Sequence, residues 1–279
     1  MTSKPSIVFV PGAWHAPHYW DKVIAYLTQQ GYSCSTVTLP STLENPDSGL
    51  LEDITAARAV ITKETAKGQD VVVVAHSYGG AVGASAIKGL SKTPDLHSDD
   101  GDSRPRTSSA TNVEKNATTQ GHVVSFVLVA SGLVRTGLSF IGHVPGGTPP
   151  PQWRVNLETG FAEITLDAEG IREFFYHDLS EDEGRFWVSQ LKPHALRSVT
   201  EGGEHMYSGW KDVPCWMLVC TEDRAMPMEL LRMMVKNGQD EGAAITLREA
   251  SSSHSPMLSI PDVVSGLIVE AAQEARSSS

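Results

Sequence analysis

Apolar positions along this chain follow two periods that alternate. Short runs rich in β-branched residues, at 6–10, 33–39, 71–75, 123–130, 215–220 and 244–248, have the length and composition of buried strands. Between them, apolar residues recur every three or four positions. Trp20, Val23, Ile24 and Leu27 share one helical face before Gly31, which stands where a C-terminal cap belongs, and Ile54, Ala57 and Ile61 repeat the pattern ahead of Gly68. Near the end of the chain, Pro261 opens a segment whose Val263, Val264, Leu267, Ile268 and Ala271 form a stripe suited to packing on a sheet. Strands alternating with helices mark a parallel sheet with crossover helices, so the predicted class is α/β, a mostly parallel sheet flanked by helices.

Two stretches interrupt this alternation. Residues 91–120 are rich in Ser, Thr, Asp and Asn, have no apolar period, and bury too little surface to offset their ordering entropy. A mobile polar insertion is expected there. Residues 135–210 contain the Gly- and Pro-rich run 146–151 and helix-like runs at 168–176 and 181–191. Their place after the fourth strand predicts a helical cap over the C-terminal edge of the sheet, where the pockets of open α/β sheets lie. Because the alternating elements run the whole length, 1–279 is read as one domain.

Composition narrows the partners. A chain of 279 residues with 40% hydrophobic positions can bury one large core, and 22 basic against 33 acidic residues give a net charge of −11. That balance argues against nucleic acid or an anionic membrane and for a neutral or small substrate. The three cysteines, Cys34, Cys215 and Cys220, lie in or beside apolar runs, in an odd number and away from metal-ligand spacing, so reduced core thiols are expected. No apolar stretch reaches the roughly 18–20 residues of a membrane span, and a soluble, cytoplasmic protein is expected. A lid or elbow surface could support a homodimer.

The chemistry starts at Asp70–Ala81, DVVVVAHSYGGA, where a strand-like run breaks at Ser77 and Gly79 and Gly80 follow. A serine on a sharp strand-to-helix turn is a nucleophile elbow, usually written G-x-S-x-G, with Ala75 here in place of the first glycine. A serine hydroxyl needs a base and an orienting acid. Asp223 follows the fifth strand and His254 the sixth, so the order is Ser, acid, His, each just beyond a strand. His254 would take the Ser77 proton and Asp223 would hold the imidazole. The backbone N–H groups of Tyr78 and Ala13 are the candidate oxyanion donors, and losing one such donor typically costs about 10² to 10³ in turnover.

These residues carry a resemblance. The chain is similar to the α/β-hydrolases, and within them to the compact group of plant methylesterases, salicylate-binding esterases and hydroxynitrile lyases, over almost its whole length. Pro11-Gly12-Ala13-Trp14-His15 followed by Trp20 resembles that group's HGA-x-H…W pattern, with Pro11 where the group usually has histidine. The phrases at 174–179 and 253–259 resemble microbial relatives, many associated with secondary metabolism. Lyases of the group carry a lysine directly after the catalytic histidine, and Ser255 stands there, so the resemblance implies hydrolysis over cyanohydrin cleavage.

Simpler explanations compete at several positions. Asp223 could cap a helix starting near Pro227 while Glu222 serves as the acid. His15 and His18 have a spacing compatible with a metal but lack further ligands, and Gly79–Gly83 lacks the G-x-G-x-x-G order of a dinucleotide site, so neither metal nor cofactor is expected. Among Trp153, Phe161, Phe174, Phe175, Trp187 and Trp210, most are expected to be cap core and a minority to touch substrate. The favoured function is a serine hydrolase of a carboxylic ester, lactone or thioester of a small neutral or aromatic metabolite, acting through an acyl-enzyme. A lyase or cyclase on the same scaffold, or a ligand receptor with vestigial turnover, are the alternatives.

Overall fold

The computed structural model describes residues 3–92 and 120–277. Its strands are β1 (Ser6–Val10), β2 (Cys34–Thr36), β3 (Val71–His76), β4 (Val123–Val129), β5 (Trp153–Asn156), β6 (Phe161–Ile164), β7 (Cys215–Cys220) and β8 (Ile245–Ala250). Its α-helices are α1 (Asp21–Gln29), α2 (Leu50–Thr65), α3 (Gly79–Ala86), α4 (Ala168–Phe175), α5 (Glu181–Ser189), α6 (Arg197–Thr200), α7 (Met228–Asp240), α8 (Pro256–Ser259) and α9 (Pro261–Ser277).

Six strands form one parallel sheet in the order β2-β1-β3-β4-β7-β8. Every residue of β1, β3 and β7 is buried, which is why these strands read as continuous apolar runs. Side chains still alternate between faces. Val8, Val10, Val73 and Ala75 pack with residues of α2, α3 and α7, whereas Ile7, Phe9, Val72 and Val74 pack with residues of α1 and α9. The chain leaves β1 toward β2 on one side and returns to β3 on the other, so strand order reverses between β1 and β3. A crevice opens at such a switch point, beyond the C-terminal ends of the strands.

Gly31 and Gly68 end α1 and α2 with φ of 79° and 80°, as their places in the sequence suggested. The second strand is shorter than the expected 33–39, because β2 is an edge strand and Pro40 opens a 3₁₀ turn. The antiparallel hairpin β5–β6 within 135–210 was not foreseen. Residues 93–119 of the expected polar insertion lie outside the described residues, and Ser91 pairs with Val123 beside them. All three thiols are free, with Cys215 and Cys220 buried and Cys34 half-buried. No helix among the described residues is long and apolar enough to cross a membrane.

Candidate active site

Ser77 sits between β3 and α3 with φ of 50°, a left-handed conformation that costs a residue with a Cβ about 1–3 kcal/mol. Trp14 (φ 61°) and Ala130 (φ 46°) share this conformation, so backbone strain collects just past the ends of β1, β3 and β4. Close packing holds the turn. A Cβ on Gly79 would lie 2.4 Å from the carbonyl oxygen of Pro11, and one on Gly80 would lie 2.1 Å from Ser131 Oγ. Ser131 Oγ in turn donates to the Ser77 carbonyl at 2.6 Å. Ala75, the departure from the usual motif, is accommodated from the other side: a Cβ on Gly83 would sit 3.4 Å from that of Ala75 and 3.0 Å from the Phe126 ring. The small residue has moved from the strand to the helix that packs on it.

Ala13 lies on the loop after β1, and Tyr78 is the residue preceding α3. Among the described residues neither backbone N–H has a protein acceptor, and both residues line the same cavity as Ser77. The loop is held by His15, whose Nδ1–H donates to the Ala13 carbonyl at 2.6 Å while Nε2 accepts from Tyr176 Oη at 3.0 Å. Burial lowers the His15 pKa to about 3, so the ring is neutral and its tautomer follows from these two bonds. With both nitrogens engaged, His15 supports the loop, and the described residues contain no group of three or more potential metal ligands. The Tyr78 hydroxyl donates to Asp53 Oδ2 at 2.8 Å. Burial pushes the Asp53 carboxyl and the Tyr78 phenol up, leaving the phenol as the donor.

His254 and Asp223 meet across the ends of β7 and β8. Nδ1 of His254 donates to Asp223 Oδ2 at 2.8 Å, and their side chains are 3% and 0% exposed. Asp223 Oδ1 accepts from the backbone N–H groups of Ala225 at 2.7 Å and Met226 at 2.9 Å. These bonds close the turn at 223–226 and leave α7, which starts at Met228, without a side-chain cap, while Glu222 is exposed and accepts from Ser251. His76 Nε2 donates to the His254 carbonyl at 2.9 Å, which fixes the loop from beneath.

Ser77 and His254 open on one cavity of about 330 Å³. Its walls are mainly apolar, with Trp14, Phe140, Trp153, Phe174, Phe175 and Met234 among them, and none of its lining residues is Lys, Arg, Asp or Glu. Of the aromatic residues singled out in the sequence, Trp153, Phe174 and Phe175 line the cavity. Phe161 and Trp187 do not, and Trp210 faces a neighbouring cavity. Trp14, which stood out only through its loop motif, and Phe140 were not singled out as pocket residues. Their pocket-facing position comes from the left-handed turn at Trp14 and from the path of the chain after β4.

Comparison with known proteins gives the family and the fold. Residues 7–267 match the model of the alpha/beta hydrolase family. "Alpha/beta hydrolase nvfD" of Aspergillus novofumigatus is 29% identical over 273 residues, covering 98% of both chains. Among solved structures, a pyrethroid hydrolase from Sphingobium faniae superposes with a TM-score of 0.69 at 17% identity, covering 97% of this chain and 98% of its own. Polyneuridine aldehyde esterase gives 0.70 at 16% identity, covering 96% and 99%. At such identities the two structures share the fold.

Proposed function

Because the chain belongs to the alpha/beta hydrolase family, we propose that it is a serine hydrolase in which Ser77, His254 and Asp223 cleave a carboxylic ester of a neutral, largely apolar metabolite. The observation that carries this reading is the 2.8 Å bond from His254 Nδ1 to the buried Asp223 carboxylate, beside a cavity that Ser77 shares. With Nδ1 protonated and engaged, Nε2 is the free base. Ser77 Oγ attacks the ester carbonyl carbon and its proton passes to His254 Nε2. The oxygen that becomes negative accepts from the N–H groups of Ala13 and Tyr78.

Collapse of this intermediate expels the alcohol, which takes the proton from His254, and leaves an acyl group on Ser77. Water then attacks the acyl carbon with His254 again as base, releasing the carboxylic acid and restoring the serine. The absence of ionised side chains from the cavity wall favours a neutral substrate, since a buried unpaired charge there would have no partner. Ser255, at the position of the lyases' lysine, is buried and does not line the cavity, which favours hydrolysis over cleavage that needs a cation for its departing anion.

The test is release of p-nitrophenol from a series of acyl esters by wild type and Ser77→Ala, matched for folding by circular dichroism. Loss of about 10⁴-fold or more in kcat is expected, because removing the nucleophile leaves only binding and oxyanion effects. Undiminished turnover in Ser77→Ala would overturn the assignment. Incorporation of one oxygen from labelled water into the acid product separates hydrolysis from lyase or cyclase chemistry.

A further inference from the structure

Four consecutive cap residues, Phe175 to Asp178, bond to the loops that carry Ala13, Asp223 and His254. Tyr176 Oη donates to His15, which holds the Ala13 carbonyl. His177 Nε2 donates to the Glu222 carbonyl at 2.9 Å, one residue before Asp223. The Phe175 carbonyl accepts from Ser253 Oγ at 2.9 Å. Asp178 Oδ2 accepts from the Ser253 backbone N–H at 2.9 Å and from Ser252 Oγ at 3.0 Å, directly before His254. Among the described residues no cation pairs with this carboxylate.

From this arrangement, and resting on the serine-hydrolase reading above, we propose that Asp178 is a positioning residue that fixes the His254 loop to the cap and thereby sets kcat. The His254 backbone is gripped on two sides. Asp178 holds the N–H of the residue before it, and His76 holds its own carbonyl. Between β8 and α8 the chain runs through Ser251–Ser255, a stretch with no regular secondary structure to stiffen it. Among the described residues its hydrogen bonds to the cap run through the Asp178 carboxylate and the Phe175 carbonyl, so the imidazole's place in the site depends on a carboxylate outside the triad. Burial raises the Asp178 pKa, but the donors from Ser253, Ser259 and Ser252 together outweigh it and hold the carboxyl below its ordinary range. The anchor therefore stays charged over the range in which a histidine exchanges protons.

Misplacing a catalytic group by an ångström can cost about 10²-fold in rate. Asp178→Ala is accordingly expected to lower kcat for p-nitrophenyl esters by about 10- to 100-fold with little change in KM. Asp178→Asn retains a carbonyl oxygen able to accept from Ser253 and is expected to stay within about threefold of wild type. A purely structural role would instead lower the melting temperature and leave kcat per folded molecule unchanged.

A second readout makes the outcomes separable. A fluorophosphonate labels an activated serine without requiring the right ester, so its rate at Ser77 reports the triad alone. Slow labelling of Asp178→Ala, restored in Asp178→Asn, supports the proposal. Equal rates in wild type and Asp178→Ala overturn it and leave the hydrolase reading intact. No labelling of wild-type Ser77 overturns both. Should Asp178→Ala fail to fold, Ser252→Ala removes one donor to the same oxygen. Its kcat is then expected to fall about threefold at constant KM, and an unchanged kcat counts against the proposal.

Discussion

Gly79 shows how one side chain's absence shapes the site. The carbonyl oxygens of Pro11 and Val10 lie 2.4 and 2.7 Å from where its Cβ would be, so an added methyl cannot be absorbed by a rotamer change. Either α3 or the loop bearing Ala13 must shift. Gly79→Ala is expected to cost about 1–3 kcal/mol, read as a lower urea midpoint, and to reduce kcat by about 10²-fold as an oxyanion donor moves out of line. The residues at this scale divide by how local their signal is. Ser77, Asp223 and His254 stood out as candidates because each lies within four residues of a strand's C-terminal end, and the structure brings His254 and Asp223 into contact and places Ser77 and His254 on one cavity. Asp178 carried no such signal, since its meaning lies in bonds to residues 74 and 75 positions away.

Among the elements, the parallel strands were readable from composition because burial on both faces demands unbroken apolar runs. The β5–β6 hairpin was not, since Trp153–Asn156 and Phe161–Ile164 are half-exposed and mix charged with apolar positions. Helix α7 acquires a role only in three dimensions. Its Met234 lies between the 330 Å³ cavity and a second one of about 440 Å³, and packs so closely on Gly132 that a Cβ there would come within 2.8 Å of its sulfur. Met234→Trp is expected to shorten the space open to an acyl chain. The measurable outcome is a fall of at least about tenfold in kcat/KM for long-chain p-nitrophenyl esters with acetate turnover retained, in line with the 1–3 kcal/mol that a hydrophobic pocket assigns to small changes in length.

The whole molecule responds to pH through groups far from solvent. His15 and His194 are fully buried with pKa values of about 3, so between pH 6.5 and 3 the unfolded chain binds protons that the folded chain refuses. Stability therefore falls as pH drops through this window, by about 2 kcal/mol for each histidine at pH 5. Asp53 acts in the opposite direction, because burial raises its pKa and lets the folded state take up a proton before the unfolded chain does. A lower denaturant midpoint at pH 5 than at pH 7, with the difference reduced in His194→Asn, is the expected result. Nothing in the sequence around His194 marks it as buried, whereas the overall class followed from strand and helix alternation.

The three thiols carry a practical consequence of the way the core is filled. Burial raises the pKa of Cys34 to about 11 and those of Cys215 and Cys220 higher still, so none offers appreciable thiolate at neutral pH. All three are thus expected to react slowly with maleimides and iodoacetamides. Leu157, 84% exposed in the turn between β5 and β6, offers a place where one introduced cysteine would be the sole fast-reacting thiol. A fluorophore there could follow the hairpin in real time without first stripping the molecule of its own cysteines.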